Sequence, residues 1–103
     1  MEATEHIWMD GEFVAWEDAT VHVLVHGLHY GTGAFEGIRA YETPDGPAVF
    51  RLTDHMDRLR RSAKALGIPF GYEVEELVAA AKETIRVNGL RSCYVRPITF
   101  FGT

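Results

Sequence analysis

Two stretches of helical periodicity lie back to back in this chain with strand-like segments on both sides, an order that few architectures accommodate. Thr53 is a good N-cap, and Met56, Leu59, Ala63 and Leu66 then recur at helical spacing until Gly67 and Pro69 stop the helix. Val74, Leu77, Val78, Ala81 and Ile85 repeat the pattern. Glu73, Glu75 and Glu76 sit at the end where the helix dipole favours carboxylates, and Asn88-Gly89 closes the other end. Ahead of the helices, Ile7–Met9 and Glu12–Val14 flank Asp10-Gly11, the signal for a type I′ hairpin. Trp16 to Val25 is apolar but interrupted by Glu17, Asp18 and Thr20, which leaves strand or loop open until the glycines of residues 27–33 break regular structure. Ala34 to Tyr41 reads as a strand, turned by a longer loop over residues 43–47 into Ala48 to Leu52. Ser92 to Phe101 is β-rich, with Pro97 implying an edge or a bulge. The order β, β, β, β, α, α, β implies an α+β fold, an antiparallel sheet with two helices on one face, rather than an alternating parallel arrangement.

With 103 residues, 47% of them hydrophobic and 24% charged, the chain closes one core and is expected to be a single domain over residues 1–103. The net charge of -5 leaves Arg58, Arg60 and Arg61 as the only basic knot, so a nucleic-acid surface is not expected. Cys93 is the single cysteine, which rules out an intrachain disulfide and fits a reducing compartment. The first residues lack the basic and apolar regions of a secretory leader, and no run approaches the ~18 apolar residues of a membrane span. A cytoplasmic protein without a membrane partner is expected. The sequence stops at Phe-Phe-Gly-Thr directly after its last strand, so a piece of something larger is expected.

Residues 26–39, HGLHYGTGAFEGIR, concentrate ring, charged and glycine residues in a loop followed by a strand. Glycines allow close ligand approach and the ring and charged groups give orientation, so this run is the first candidate for a site. Strand alternation sends Phe35, Gly37, Arg39 and Tyr41 to one face and Ala34, Glu36, Ile38 and Ala40 to the other. The same rule groups Tyr94, Arg96, Ile98 and Phe100, so two rows side by side would make a floor for a small carboxylate with an apolar tail. Spacing alone favours core aromatics with arginines extending to solvent. Arg58 lies about 120° around its helix from the apolar stripe, where it could reach an anion such as phosphate or simply share a solvated face with Asp54, Asp57, Arg60 and Arg61. His22, His26 and His29 have metal-chelating spacing only if helical, and the valines and glycines around them do not support a helix, so no metal is expected. Gly31, Gly33 and Gly37 give GxGxxxG, one residue too long for the dinucleotide fingerprint and without a following helix.

Three parts of the chain together resemble the N-terminal small domain of branched-chain amino acid aminotransferases, pyridoxal-phosphate enzymes of fold type IV. They are IWMDGEFVAWEDATVHV at residues 7–23, HGLHYGTGAFEGIRAY at residues 26–41, and HMDRLRRSAK at residues 55–64 with SCYVRP at residues 92–97. The Arg-Leu of HMDRL is similar across the wider superfamily, which includes D-amino acid aminotransferases and aminodeoxychorismate lyases, whereas residues 29–39 resemble the narrower branched-chain signature. The resemblance implies that Arg58 binds the phosphate of pyridoxal 5'-phosphate. It implies that Tyr30, Phe35, Gly37 and Tyr94 line the substrate pocket, with Tyr30 reaching a neighbouring subunit's site in a homodimer or higher homo-oligomer. It further implies that Arg39 and Arg96 organise that pocket, Arg96 taking the distal carboxylate of glutamate or 2-oxoglutarate. A mostly apolar wall rimmed by arginine suits a site that accepts leucine, isoleucine or valine in one half-reaction and a dicarboxylate in the other.

Such an enzyme also needs a Schiff-base lysine. Lys64 and Lys82 are the only lysines, and neither matches the family's catalytic position, so that residue is expected in a larger domain beyond residue 103. This chain alone is expected to be inactive. Beside this reading stand a D-amino acid aminotransferase or aminodeoxychorismate lyase within the superfamily, and, from a different class, a stand-alone α+β module binding a small carboxylate or a protein through Phe35, Arg39, Tyr94 and Arg96.

Overall fold

A computed structural model describes residues 3–102; Met1, Glu2 and Thr103 lie outside the described residues. The hairpin at Asp10-Gly11 forms as expected, with β1 (His6–Met9) antiparallel to β2 (Glu12–Ala15) and both turn residues in the left-handed region, at φ 52° and 90°. A 3-10 turn over Trp16–Asp18 follows. The segment expected to lack regular structure then contains a short helix, α1 (His26–Tyr30). Five residues with no apolar periodicity do not make a helix by themselves. This one is held by tertiary bonds, with His26 and Gly27 donating to the carbonyls of Gly102 and Phe101 at 3.2 and 2.9 Å.

The strand expected over residues 34–41 is two, β3 (Gly33–Phe35) and β4 (Ile38–Thr43), and the last strand is likewise divided into β6 (Cys93–Val95) and β7 (Ile98–Phe100). Both divisions have one cause. Phe35 faces Ile98 and Ile38 faces Val95, so a single register runs through the break. Glu36 N–H still donates to the Pro97 carbonyl at 3.1 Å, but proline has no N–H to return, and the ladder lapses there. The β4–β5 connection is tighter than expected: β5 (Gly46–Val49) pairs from Thr43↔Gly46 onward, leaving Pro44 and Asp45 as the turn.

The first long helix, α2 (Leu52–Ala65), starts earlier than Thr53 would set it. Leu52 is already helical and buried, and Arg51, at φ 51°, turns the chain out of the β5 hairpin. Leu66, expected on the buried stripe, is instead the C-cap and largely exposed. Gly67 closes the helix through Gly67 N–H to Lys64 carbonyl and Ile68 N–H to Ala63 carbonyl, the paired bonds of a Schellman ending. Helix α3 (Val74–Val87) matches the expected pattern and ends the same way at Gly89.

All strand pairs are antiparallel, in the orders β1-β2, β3-β7 and β5-β4-β6. Their inward residues Ala34 and Ile38 pack with Leu52, Met56 and Leu59 of α2 and Leu77 and Ala81 of α3 into one core, as the α+β expectation requires. Trp8 and Tyr72 meet edge to face at 5.2 Å and extend that core towards the first hairpin.

Candidate functional site

The break between β3 and β4 organises the site, because the alternation of side chains persists through it: Ala34, Glu36, Ile38 and Ala40 are buried and Phe35, Gly37, Arg39 and Tyr41 exposed. On the inward side this places a carboxylate among core residues. Glu36 is 5% exposed, and a buried charge persists only with partners. Its partners come from α2. Arg58 Nε donates to both carboxylate oxygens at 3.0 Å and Nη2 to Oε1 at 2.7 Å, while His55 Nδ1 lies 2.7 Å from Oε1. A carboxylate only accepts, so the His55 proton at this contact sits on Nδ1. The Arg58 hydrogen bonds hold the Glu36 carboxyl below the usual glutamate range, against the opposing effect of burial and with help from His55, and Glu36 raises Arg58 in return.

Arg58 was expected to leave the apolar stripe and it does, its side chain 62% exposed. It borders a shallow cleft of about 320 Å³ shared with Arg51, Asp54, His55, Asp57 and Arg61. Of its fellow arginines, Arg51 pairs with Asp54 and Arg61 with Asp57 on or beside the same helix; Arg58 alone of these three reaches across to the strand break. Glu36 and His55 escaped the sequence reading as site residues. The signal was there in Glu36, a charge on the inward face of a strand between Ala34 and Ile38.

On the outward side the two predicted rows come together. Arg39 faces Tyr94 across the β4–β6 pair, with its guanidinium 5.7 Å from the ring centre. Arg96 lies 4.3 Å from the Phe35 ring centre and 5.3 Å from that of Tyr94, and its Nη2 donates to the Tyr94 hydroxyl at 2.8 Å. Gly37 gives room for this packing: a Cβ there would overlap the Tyr94 hydroxyl and lie 3.0 Å from the ring carbon that carries it, so the Tyr94 ring would have to shift. Phe35, Gly37, Arg39, Tyr94 and Arg96 thus form one exposed surface of stacked aromatic rings and guanidinium groups. Such a surface offers apolar contact beside guanidinium N–H donors that, among the described residues, make no ion pair, the combination a small carboxylate with a carbon tail needs.

Tyr30 is 72% exposed at the end of α1, where its ring packs against His26 at 4.5 Å rather than joining the Phe35–Arg96–Tyr94 stack. The three histidines are locally engaged: His22 Nδ1 accepts from Leu24 N–H, His26 pairs with the Thr32 hydroxyl, and His29 Nε2 donates to the Val23 carbonyl. Among the described residues no three His, Cys, Asp or Glu side chains group as a metal set. Lys64 and Lys82 are both exposed. A larger groove of about 880 Å³, between the β4–β5 turn and the end of α3, contains none of the predicted site residues.

Known proteins share this fold. The branched-chain-amino-acid aminotransferase of Salmonella typhimurium is 52% identical over 98 residues, covering 95% of this chain and 32% of its own length. The T.th. branched-chain amino acid aminotransferase, solved as a complex with N-(5'-phosphopyridoxyl)-L-glutamate, superposes with a TM-score of 0.95 at 52% identity, over 99% of this chain and 34% of that one. The Escherichia coli enzyme gives a TM-score of 0.93 at 50% identity, over 96% and 33%. This chain therefore spans about a third of the length of the relatives it matches. The fold is the one found in the N-terminal part of fold type IV aminotransferases, and among the described residues no helix is long and apolar enough to cross a membrane. Residues 33–103, from the start of β3 through the helix that carries Arg58 to the segment that carries Tyr94 and Arg96, match the model of amino-transferase class IV, and the chain belongs to that family.

Proposed function

We propose that this chain is the N-terminal small domain of a longer cytoplasmic, homodimeric or higher-order branched-chain amino acid aminotransferase, which moves an amino group between leucine, isoleucine or valine and 2-oxoglutarate with pyridoxal 5'-phosphate. The observation that carries the reading is the outward cluster in which Phe35 and Arg39, on the segment whose inward Glu36 pairs with Arg58, meet Tyr94 and Arg96 of the segment paired with it. Similarity to branched-chain aminotransferases over nearly the whole chain supports it.

The donor set fits the cofactor's phosphate. A guanidinium has five N–H donors; Arg58 commits Nε–H and an Nη2–H to Glu36, which leaves three donors on a side chain that is 62% exposed. When bound, pyridoxal phosphate supplies the carbonyl that takes up the amino group and the ring that withdraws electrons from the substrate's Cα. The chain's own residues then bind and orient. Arg58 holds the phosphate; Phe35, Gly37 and Tyr94 give an apolar wall for a branched side chain; Arg96, stacked on Phe35, offers its free N–H groups to the distal carboxylate of the dicarboxylate partner. Arg39 backs the wall through its stacking on Tyr94, and Tyr30, exposed at the end of α1, completes a neighbouring subunit's site. The covalently bonding lysine is supplied by the larger domain, so neither Lys64 nor Lys82 takes that role.

The test is the parent polypeptide purified from its source, weighed intact before and after borohydride reduction and assayed with 2-oxoglutarate against leucine and against D-alanine. A chain about three times this length with one reduced pyridoxyl group outside residues 1–103 and turnover of leucine is the expected result. Turnover of D-alanine instead, or a pyridoxyl group on Lys64 or Lys82, would overturn the proposal.

A further inference from the structure

We propose that Glu36 is a positioning residue for Arg58, a buried carboxylate that fixes one edge of the guanidinium so that the other edge is aimed at the cofactor's phosphate. The inference rests on the reading of Arg58 as the phosphate-binding residue and adds the group that aims it.

Nothing in the strand calls for a charge at this point. The inward neighbours of Glu36 are Ala34, Ile38 and Ala40, all buried and apolar, and an apolar side chain there would avoid the desolvation that an ionised carboxylate suffers. A buried ion pair adds little net stability, so its value lies in fixing geometry. The geometry here is restrictive. Three contacts between 2.7 and 3.0 Å lock the Nε edge of Arg58 against the carboxylate. A long arginine on a solvated helix face otherwise gives up its rotamer freedom when it captures a ligand, and Glu36 removes that freedom beforehand.

Glu36 is suited to hold Arg58 without competing for the ligand. Its oxygens are buried, at 5% exposure, whereas the Arg58 side chain is 62% exposed. A planar guanidinium can bridge two anions placed on different edges. His55, one turn earlier on α2, donates to the same oxygen, so the carboxylate keeps a second partner while Arg58 serves the phosphate. The strand break contributes as well: with Glu36 N–H tied to the Pro97 carbonyl, the backbone that carries the carboxylate is fixed although the ladder lapses beside it.

The test uses the apo form of the parent polypeptide, with dissociation constants for pyridoxal 5'-phosphate and for pyridoxal, which lacks the phosphate, measured for the unmodified protein and for Glu36→Gln and Arg58→Met. Glu36→Gln should weaken pyridoxal 5'-phosphate about 10- to 100-fold and leave pyridoxal unchanged, and combining it with Arg58→Met should add little to Arg58→Met alone. Unchanged affinity in Glu36→Gln beside a large loss in Arg58→Met would overturn the positioning role while leaving Arg58 in place. Unchanged affinity in Arg58→Met would overturn the reading of Arg58, and the positioning role with it. If Glu36→Gln does not fold, the Arg58 Nε–H resonance of the unmodified protein decides: it should stay hydrogen-bonded and slow to exchange when pyridoxal 5'-phosphate binds. Loss of that protection on binding would make Glu36 a competitor of the phosphate and end the proposal.

Discussion

Arg58 and Glu36 meet across the boundary between helix α2 and the β3–β4 break, the exposed guanidinium gripping the buried carboxylate through Nε and Nη2. This pair ties the helix to the strand at the β3–β4 break, where proline leaves the ladder without a return hydrogen bond.

The pair sets how the fold responds to acid. Hydrogen bonds from Arg58, aided by His55, depress the Glu36 pKa in the folded chain, so the unfolded chain takes up the proton first as pH falls. Stability from this group is therefore fully present above the ordinary value of 4.5 and is lost as pH drops from there through the depressed folded value. Glu83, depressed by its hydrogen bonds from Arg86, acts in the same direction but is exposed to solvent screening. Urea midpoints across this window should fall for the unmodified chain and fall less for Glu36→Gln. Equal slopes for the two would show that Glu36 ionises alike in both states.

Ile38 and Leu66 should separate sharply. Ile38 is completely buried between the strand and the helices, and Ile38→Ala should cost ~2–5 kcal/mol through lost contacts and the cavity left behind. Leu66 has the same helical spacing as the core residues but is 48% exposed at the C-cap, so Leu66→Ala should stay within ~0.5 kcal/mol. Denaturant unfolding of both variants checks this, and comparable losses would return Leu66 to the core.

The contrast shows where the sequence was readable. Periodicity located α2 and α3, and the strand alternation through residues 34–41 correctly divided buried from exposed positions even across a break it did not foresee. Asp10-Gly11 announced its turn by backbone chemistry alone. Features set by distant partners were not legible. Helix α1 depends on carbonyls of Phe101 and Gly102, more than seventy residues away in sequence, and the α2 start depends on how the β5 hairpin delivers Arg51 rather than on the capping strength of Thr53. In the site, the outward surface was predictable from period-2 spacing, whereas the Glu36–His55–Arg58 group required knowing how α2 lies over β3.

Asn88 illustrates a long-range tie of another kind. At the C-cap of α3 its side-chain amide pairs with the backbone of His6, Oδ1 accepting from His6 N–H and Nδ2 donating to His6 carbonyl, both at 2.9 Å. It substitutes for a strand at the open edge of β1. Asn88→Ala should lose about 1–3 kcal/mol from the two bonds and accelerate hydrogen exchange at β1 and β2 more than at β4. Uniform acceleration across the chain would mean that the hairpin is not selectively fastened there.

Tyr94 tests the division of labour on the outward surface. Its ring supports both Arg39 and Arg96, but only its hydroxyl makes a directional bond, accepting from Arg96 Nη2 at 2.8 Å. Tyr94→Phe keeps the ring and removes that acceptor, so Arg96 retains its stacking on Phe35 while losing one restraint on where its N–H groups point. One such bond is worth ~1 kcal/mol, about fivefold in affinity. In the parent polypeptide, if Arg96 takes the distal carboxylate as proposed above, the KM for 2-oxoglutarate should rise about that much, whereas the KM for leucine, proposed to meet the apolar wall, should hardly move. Folding stability should change by less than ~0.5 kcal/mol, since Tyr94 is already 43% exposed. An equal rise for leucine and 2-oxoglutarate would show that the hydroxyl shapes the whole wall, and that Arg96 alone does not distinguish the dicarboxylate.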